Sequence, residues 1–317
     1  MMGQSKIHYW FVGPAIFLMI LLLIAPVFVA AGLSMTNYSL GNSGFDWIGL
    51  ENYEKLFSRR SYAKMFTASL TYVLLVVPIS VALGLGAALL ISSLKIGGEL
   101  YKAVFFLPVM ATLLAMAIVW EFALNPIVGV VNDILRSGCD RDMIYAFFTG
   151  SWYGNNPLES WYGSSCEKKF PIWLGDKNYA LGTIAFIGIW QAFGFNMVLY
   201  LAGLTSVPRE LYQAAHMDGA DSAWERFKLV TWPMLGPTHV FVITISSIRS
   251  FQVFDTVEAL TQGGPSKSTY VMVYAMFEKG VKQNLLGVGS AITIVFLIFV
   301  LILTLIQVYF VNRRVHY

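Results

Sequence analysis

The sequence predicts an all-α, polytopic membrane protein, and three observations carry that expectation. Hydrophobic residues make up 57% of the 317 residues and charged residues only 12%, against roughly 25% charged in an ordinary soluble domain. Mean hydropathy is +0.64. Six apolar runs, 10–33, 66–91, 104–124, 179–204, 238–254 and 286–311, approach the ~20 residues a helix needs to cross a bilayer. The formal net charge is only +3 and no long basic run occurs, which argues against nucleic acid as a partner.

Taken in order, the first run has Lys6 as its charged flank, as a cleaved signal peptide would. It is longer than a usual signal core and holds Pro14 and Pro26, so it reads as a span. The polar stretch 34–65 carries Trp47, Tyr53 and Phe57 and suits an interface, which divides the chain into a leading segment 1–65 and a core 66–317. A short turn at 92–102 contains Gly97 and Gly98. The loop 125–178 is long for a membrane protein and rich in Trp and Tyr, a character that goes with function or partner contact. It holds both cysteines, Cys139 and Cys166; a disulfide in an oxidising periplasm and two unrelated thiols are the alternatives. Six spans put both termini on one side, but the distribution of Lys and Arg does not say which.

Polar residues interrupt two of the spans. Gln191 and Asn196 lie beside Trp190, Phe193 and Phe195 in the fourth run, and Arg249, Gln252 and Asp255 recur at helical spacing in or after the fifth. Ionisable groups at membrane depth are costly and face a bundle interior or a water-filled path. Amides between aromatic rings suit a polyhydroxylated solute, whose apolar face packs on rings while its hydroxyls bond to amides. Interhelical hydrogen bonding, about 0.6 kcal/mol per contact, is the alternative. Arg249 has three candidate partners: an anionic group such as phosphate or sulfonate, Asp255, or a neighbouring helix. Glu121, near the end of the third run, suits snorkelling to the interface.

Between the fourth and fifth spans stands a polar island, 208–233. Ser206 is placed to cap a helix with Pro208 in its first turn, and Glu210 near its positive end. Leu211, Ala214, Ala215 and Asp218 recur at three- and four-residue spacing, a stripe of small residues on which another backbone can approach. Gly219 is placed for the left-handed conformation that ends a helix. Ser222 and Glu225 form an S-x-x-E capping box, so a second helix starts near Ala223, with Trp224 and Phe227 bracing the island on the membrane body. The pattern fits a docking element, or a loop that covers the ends of its own spans.

Catalytic signatures are missing from the sequence. His8, His216, His239 and His316 have no metal-ligand spacing, and the GGPSKS run at 263–268 lacks the spacing of a phosphate loop. No nucleophile elbow occurs. The expectation is a chain with no catalytic residue, metal or cofactor of its own.

Two motifs bring a resemblance. Gln213-Ala214-Ala215, Asp218-Gly219-Ala220, Phe227 and Pro233 resemble the EAA loop of permease subunits of binding-protein-dependent ABC importers. Thr261-Gln262-Gly263-Gly264-Pro265 resembles the T-x-G-G-P of the carbohydrate branch, which includes maltose and glycerol-phosphate permeases. Gln213 stands where the family has Glu, and the interval from Gly219 to Pro233 is one residue longer than usual. The resemblance covers the chain from about residue 66 to its end. It implies an inner-membrane protein with cytoplasmic termini, a coupling loop at 205–235 and a periplasmic loop at 125–178. It further implies that Arg209, Glu210, Gln213, Ala214, Ala215, Asp218, Gly219 and Ala220 couple to an ATPase. By position, Trp190, Gln191, Phe195, Asn196, Arg249, Ser250 and Gln252 fall near the solute path. The implied partners are a second, related permease, two ATPase subunits that bind ATP and Mg, a periplasmic solute-binding protein and membrane lipid. A stand-alone channel or secondary carrier is the alternative.

Overall fold

The computed structural model describes residues 5–42, 44–94, 96–132, 134 and 171–312, and they are all-α apart from one isolated antiparallel bridge between Thr36 and Trp47. Cys139, Cys166 and most of the loop 125–178 lie outside the described residues. In order, the helices are α1 (Ser5–Met19), a π turn (Ile20–Ile24), α2 (Ala25–Ser34), α3 (Glu51–Ser58), α4 (Arg60–Ser93), α5 (Gly98–Met110) and α6 (Leu113–Ala123). There follow α7 (Ala180–Thr205), α8 (Arg209–Met217), α9 (Ala223–Arg226), a π turn (Phe227–Thr231), α10 (Trp232–Met234), α11 (Gly236–Phe251) and α12 (Asp255–Leu260). The last are α13 (Met272–Phe277), a π turn (Glu278–Lys282) and α14 (Leu286–Asn312).

Among the described residues five helical runs are long and apolar enough to cross a membrane, six if a bent pair counts as one span. The correction concerns the third. Instead of one helix over 104–124, α5 and α6 meet at a 98° bend. Ala111 and Thr112 are both extended, with ψ 141° and 136°, which interrupts the hydrogen-bond ladder one turn after Pro108 has already removed a donor from it. Hydropathy registers the apolar run but not the backbone break. The fifth run also differs: it starts at Gly236, leaves the helix at 252–254 and resumes as α12.

The chain divides into two compact units, one of residues up to 67 together with those from 271 onward, the other Ala68–Tyr270. In the first, α2 packs along α14. Asn52, 2% exposed, secures the turn between α2 and α3 by donating from Nδ2 to the carbonyls of Ser34 and Thr36, each at 2.9 Å. None of the most apolar stretch of Val12–Ser34 is buried by its own chain, which suits a helix whose solvent is lipid or a partner span.

In the second unit α7 is the central helix, with α5 on one side and α11 on another. Glycines let the backbones meet. A side chain at Gly194 would strike the Phe105 carbonyl of α5, and one at Gly84 would meet Asn196 Cβ at 2.7 Å. Between helices in a membrane, such close approach is the main source of packing energy. Met197, Tyr200, Leu235 and Val242 fill the core beside these crossings.

Candidate functional site

A cavity of about 320 Å³ lies at the break between α11 and α12, walled by α4, α5 and α7. Gln191, Phe195, Asn196, Arg249, Ser250 and Gln252 line it, so most of the residues expected from sequence come together here. Trp190 does not. It packs edge-to-face on Trp120 of α6 at 5.5 Å, because one residue along a helix turns the side chain through 100° and away from the face that Gln191 shares.

Asn196 has a different part from the one its neighbours suggest. It is 0% exposed, donates from Nδ2 to Ser80 Oγ of α4 at 3.2 Å and accepts from Ser246 Oγ of α11 at 2.8 Å. Its amide therefore joins three helices, the interhelical alternative noted above. Asn196→Ala removes both bonds and is expected to lower the thermal midpoint in detergent by the equivalent of about 1 kcal/mol. Gln191→Ala, with no such bonds among the described residues, leaves the midpoint unchanged.

Arg249, in the last turn of α11, places its guanidinium carbon 3.9 Å from the centroid of the Phe195 ring. It does not pair with Asp255, although Asp255 lines the same cavity. Tyr72 of α4, 4% exposed, was not legible as a site residue. It is an aromatic in an apolar run, and only Gly188 of α7 opposite it, which its hydroxyl closely approaches, brings that oxygen to the cavity wall.

The polar island folds as helix, glycine turn, helix. Gly219 has φ +89°, and the Ala220 N–H returns to the Ala215 carbonyl at 2.9 Å, closing the left-handed cap. Glu225 N–H donates to Ser222 Oγ at 3.1 Å and Ser222 N–H to Glu225 Oε2 at 3.0 Å, the expected capping box. The Ser222 backbone N–H, then its hydroxyl, hold the Glu225 carboxyl below its usual range. The lowered value means the box contributes fully above the ordinary carboxylate pKa and loses that contribution as pH falls through the folded value.

Three expectations about the island are corrected. Ser206 does not cap α8: its hydroxyl donates back to the Gly203 carbonyl at 2.7 Å, ending α7, and the extended Pro208 takes the cap position. The two alanines do not share one open face. Ala215 is buried with Val207, Ala220 and Val230 beneath α8, while Ala214 and Gln213 remain exposed. Trp224 does not brace the island either; it stacks on Phe227 at 5.4 Å and stays 69% exposed. Anchoring falls to Tyr212, whose hydroxyl bonds Thr231 Oγ1 at 3.0 Å, and to Trp232, whose ring lies 4.3 Å from His239. Ahead of Pro233 the backbone widens into the π turn Phe227–Thr231, where Trp232 N–H reaches back to the Phe227 carbonyl.

Beyond α12, the Thr261–Pro265 segment closes into a compact turn. Gln262 and Gly263 have φ 48° and 77°, Thr261 Oγ1 bonds Thr269 Oγ1 at 2.8 Å, and Thr269 Oγ1 donates to the Gly264 carbonyl at 2.7 Å. Among the described residues no group of three or more His, Cys, Asp or Glu is placed to hold a metal ion.

Residues 57–316 match the model of the family described as binding-protein-dependent transport system inner membrane component. The probable ABC transporter permease protein YurN of Bacillus subtilis is 27% identical, covering 98% of both chains. The trehalose/maltose transport system permease protein MalF of Thermococcus litoralis is 30% identical, covering 96% of this chain and 93% of its own. The fold is that of a bacterial ABC transporter involved in the import of the acidic polysaccharide alginate, with TM-score 0.76, 20% identity and coverage of 99% of this chain and 97% of that one. Family match, relatives and fold agree: the chain is a transport permease and belongs to the binding-protein-dependent transport system inner membrane component family.

Proposed function

We propose that this permease forms half of the transmembrane pathway of an ATP-driven importer for a sugar, polyol or sugar- or glycerol-phosphate-like solute handed over by a periplasmic binding protein. The observation that carries the reading is the polar cavity at a helix break within an otherwise apolar span. Non-helical backbone at membrane depth is tolerated where it lines a cavity. The relative named for trehalose and maltose transport supports a polyhydroxylated solute.

In this reading 66–317 is the permease core, both termini are cytoplasmic and α8 is the coupling helix. Arg209, Glu210, Gln213 and Ala214 present its exposed face to an ATPase, while Ala215, Ala220 and the Asp218-Gly219 turn hold that face in place. Two ATPases closing on ATP move α8 together with its counterpart in a second permease, and the cavity changes sides. The test is uptake into vesicles carrying the whole assembly. Loss of the ATPase Walker A lysine should abolish uptake, and Gln252→Ala should raise KM about tenfold, the loss of one hydrogen bond of about 1.4 kcal/mol. Uptake that persists without a working ATPase would instead establish a stand-alone carrier.

A further inference from the structure

We propose that the cavity takes an acidic carbohydrate, Arg249 receiving its anionic group and Asp255 its hydroxyls; the proposal rests on the importer reading and narrows it. Arg249 is exposed to the cavity, its guanidinium carbon against the Phe195 ring. Among the described residues its N–H donors meet no hydrogen-bond acceptor and no carboxylate within the 4.0 Å of an ion pair. Asp255, at the start of α12, lines the same cavity and is likewise exposed without a side-chain partner among the described residues. The three non-helical residues 252–254 stand between the two helix ends that carry these charges, which do not neutralise each other.

The chemistry of the two groups is complementary. A guanidinium only donates and favours carboxylate or phosphate, which it grips in a fork; a carboxylate only accepts and suits the hydroxyls of a diol. A solute that bears both an acid and hydroxyls satisfies both side chains. A neutral sugar can bond either side chain through its hydroxyls, but only an acid supplies the charge-assisted, forked contact that a guanidinium favours. Gln191 and Gln252, which donate and accept, serve either kind of solute and set no preference.

The test uses the assembled transporter, with both permeases, ATPases and binding protein, in proteoliposomes offered glucose, maltose, glucuronate, glucose 6-phosphate and sn-glycerol 3-phosphate. ATP-dependent accumulation is expected for acidic members and not for the neutral ones. Arg249→Gln should lower acidic accumulation about tenfold or more, the loss of a charged hydrogen bond, and Arg249→Lys should restore part of it. Asp255→Asn should raise KM while leaving the acidic preference. Accumulation of neutral members alone, of no acidic member, or acidic accumulation unchanged in Arg249→Gln overturns the proposal. So does failure of the Arg249→Gln chain to co-purify with the second permease, which assigns Arg249 to a carboxylate of that partner. Acidic uptake that needs Arg249 yet survives loss of the ATPase supports the acid site and defeats the importer reading, so the two fail separately.

Discussion

Gly219→Val lowers ATP-driven uptake about tenfold and weakens retention of the ATPase during purification, while the permease itself remains folded. The expectation follows from the backbone. Gly219 stands at φ +89°, and a side chain there would meet nothing within 4 Å, so the substitution is opposed by conformation rather than by crowding. An L-residue in the left-handed region costs roughly 1–2 kcal/mol, more when β-branched. That strain falls on the turn that sets the angle of α8, and the relief available is to reopen the Ala220 N–H to Ala215 carbonyl bond. Asparagine, which tolerates this region, should restore most of the coupling. Pull-down of the ATPase and vesicle uptake, measured on the same preparations, check both parts; wild-type values for Gly219→Val would remove the turn from the mechanism.

Gly194→Leu prevents the permease from folding to a monodisperse species. A Cβ at this position would strike the Phe105 carbonyl and lie 3.0 Å from the Phe105 carbonyl carbon, both backbone atoms that no rotamer change can move. Overpacking a core typically costs about 1–3 kcal/mol and more where backbone must shift, and here the shift would separate α5 from α7 along their whole crossing. Gly182→Ala is the control, since on the same helix its side chain would meet nothing within 4 Å. Its thermal midpoint should stay level or rise, as alanine favours helix by roughly 0.5–1 kcal/mol over glycine. Size-exclusion profiles and thermal melts in one detergent separate the two variants.

The class of the protein and the grammar of its island were legible because both are written in local chemistry. Apolar length marks a span wherever it occurs, and Ser222 with Glu225 or Gly219 need only their own neighbours to act. The bend between α5 and α6 was hidden, since Ala111 and Thr112 are unremarkable residues in extended conformations. Side-chain direction was hidden too. Trp190 and Gln191 are adjacent in sequence, yet one meets Trp120 and the other the cavity. Tyr72 reaches the cavity, and Ser80 the Asn196 amide, only through helices that glycines allow to approach, a relation no single segment records. Ala214 and Ala215 show the same limit at short range, for their division into outer and inner faces is decided by Val207 and Val230 on either side of the island.

The π turn at Phe227–Thr231 gives the polar island a tolerance of length. A wider turn holds one more residue over nearly the same rise, so a loop shorter by one can close with an ordinary α turn and still bring Trp232 onto His239. A variant with one residue deleted between Ala223 and Thr231 is therefore expected to keep the Trp232–His239 contact, which loss of that contact in its structure would refute.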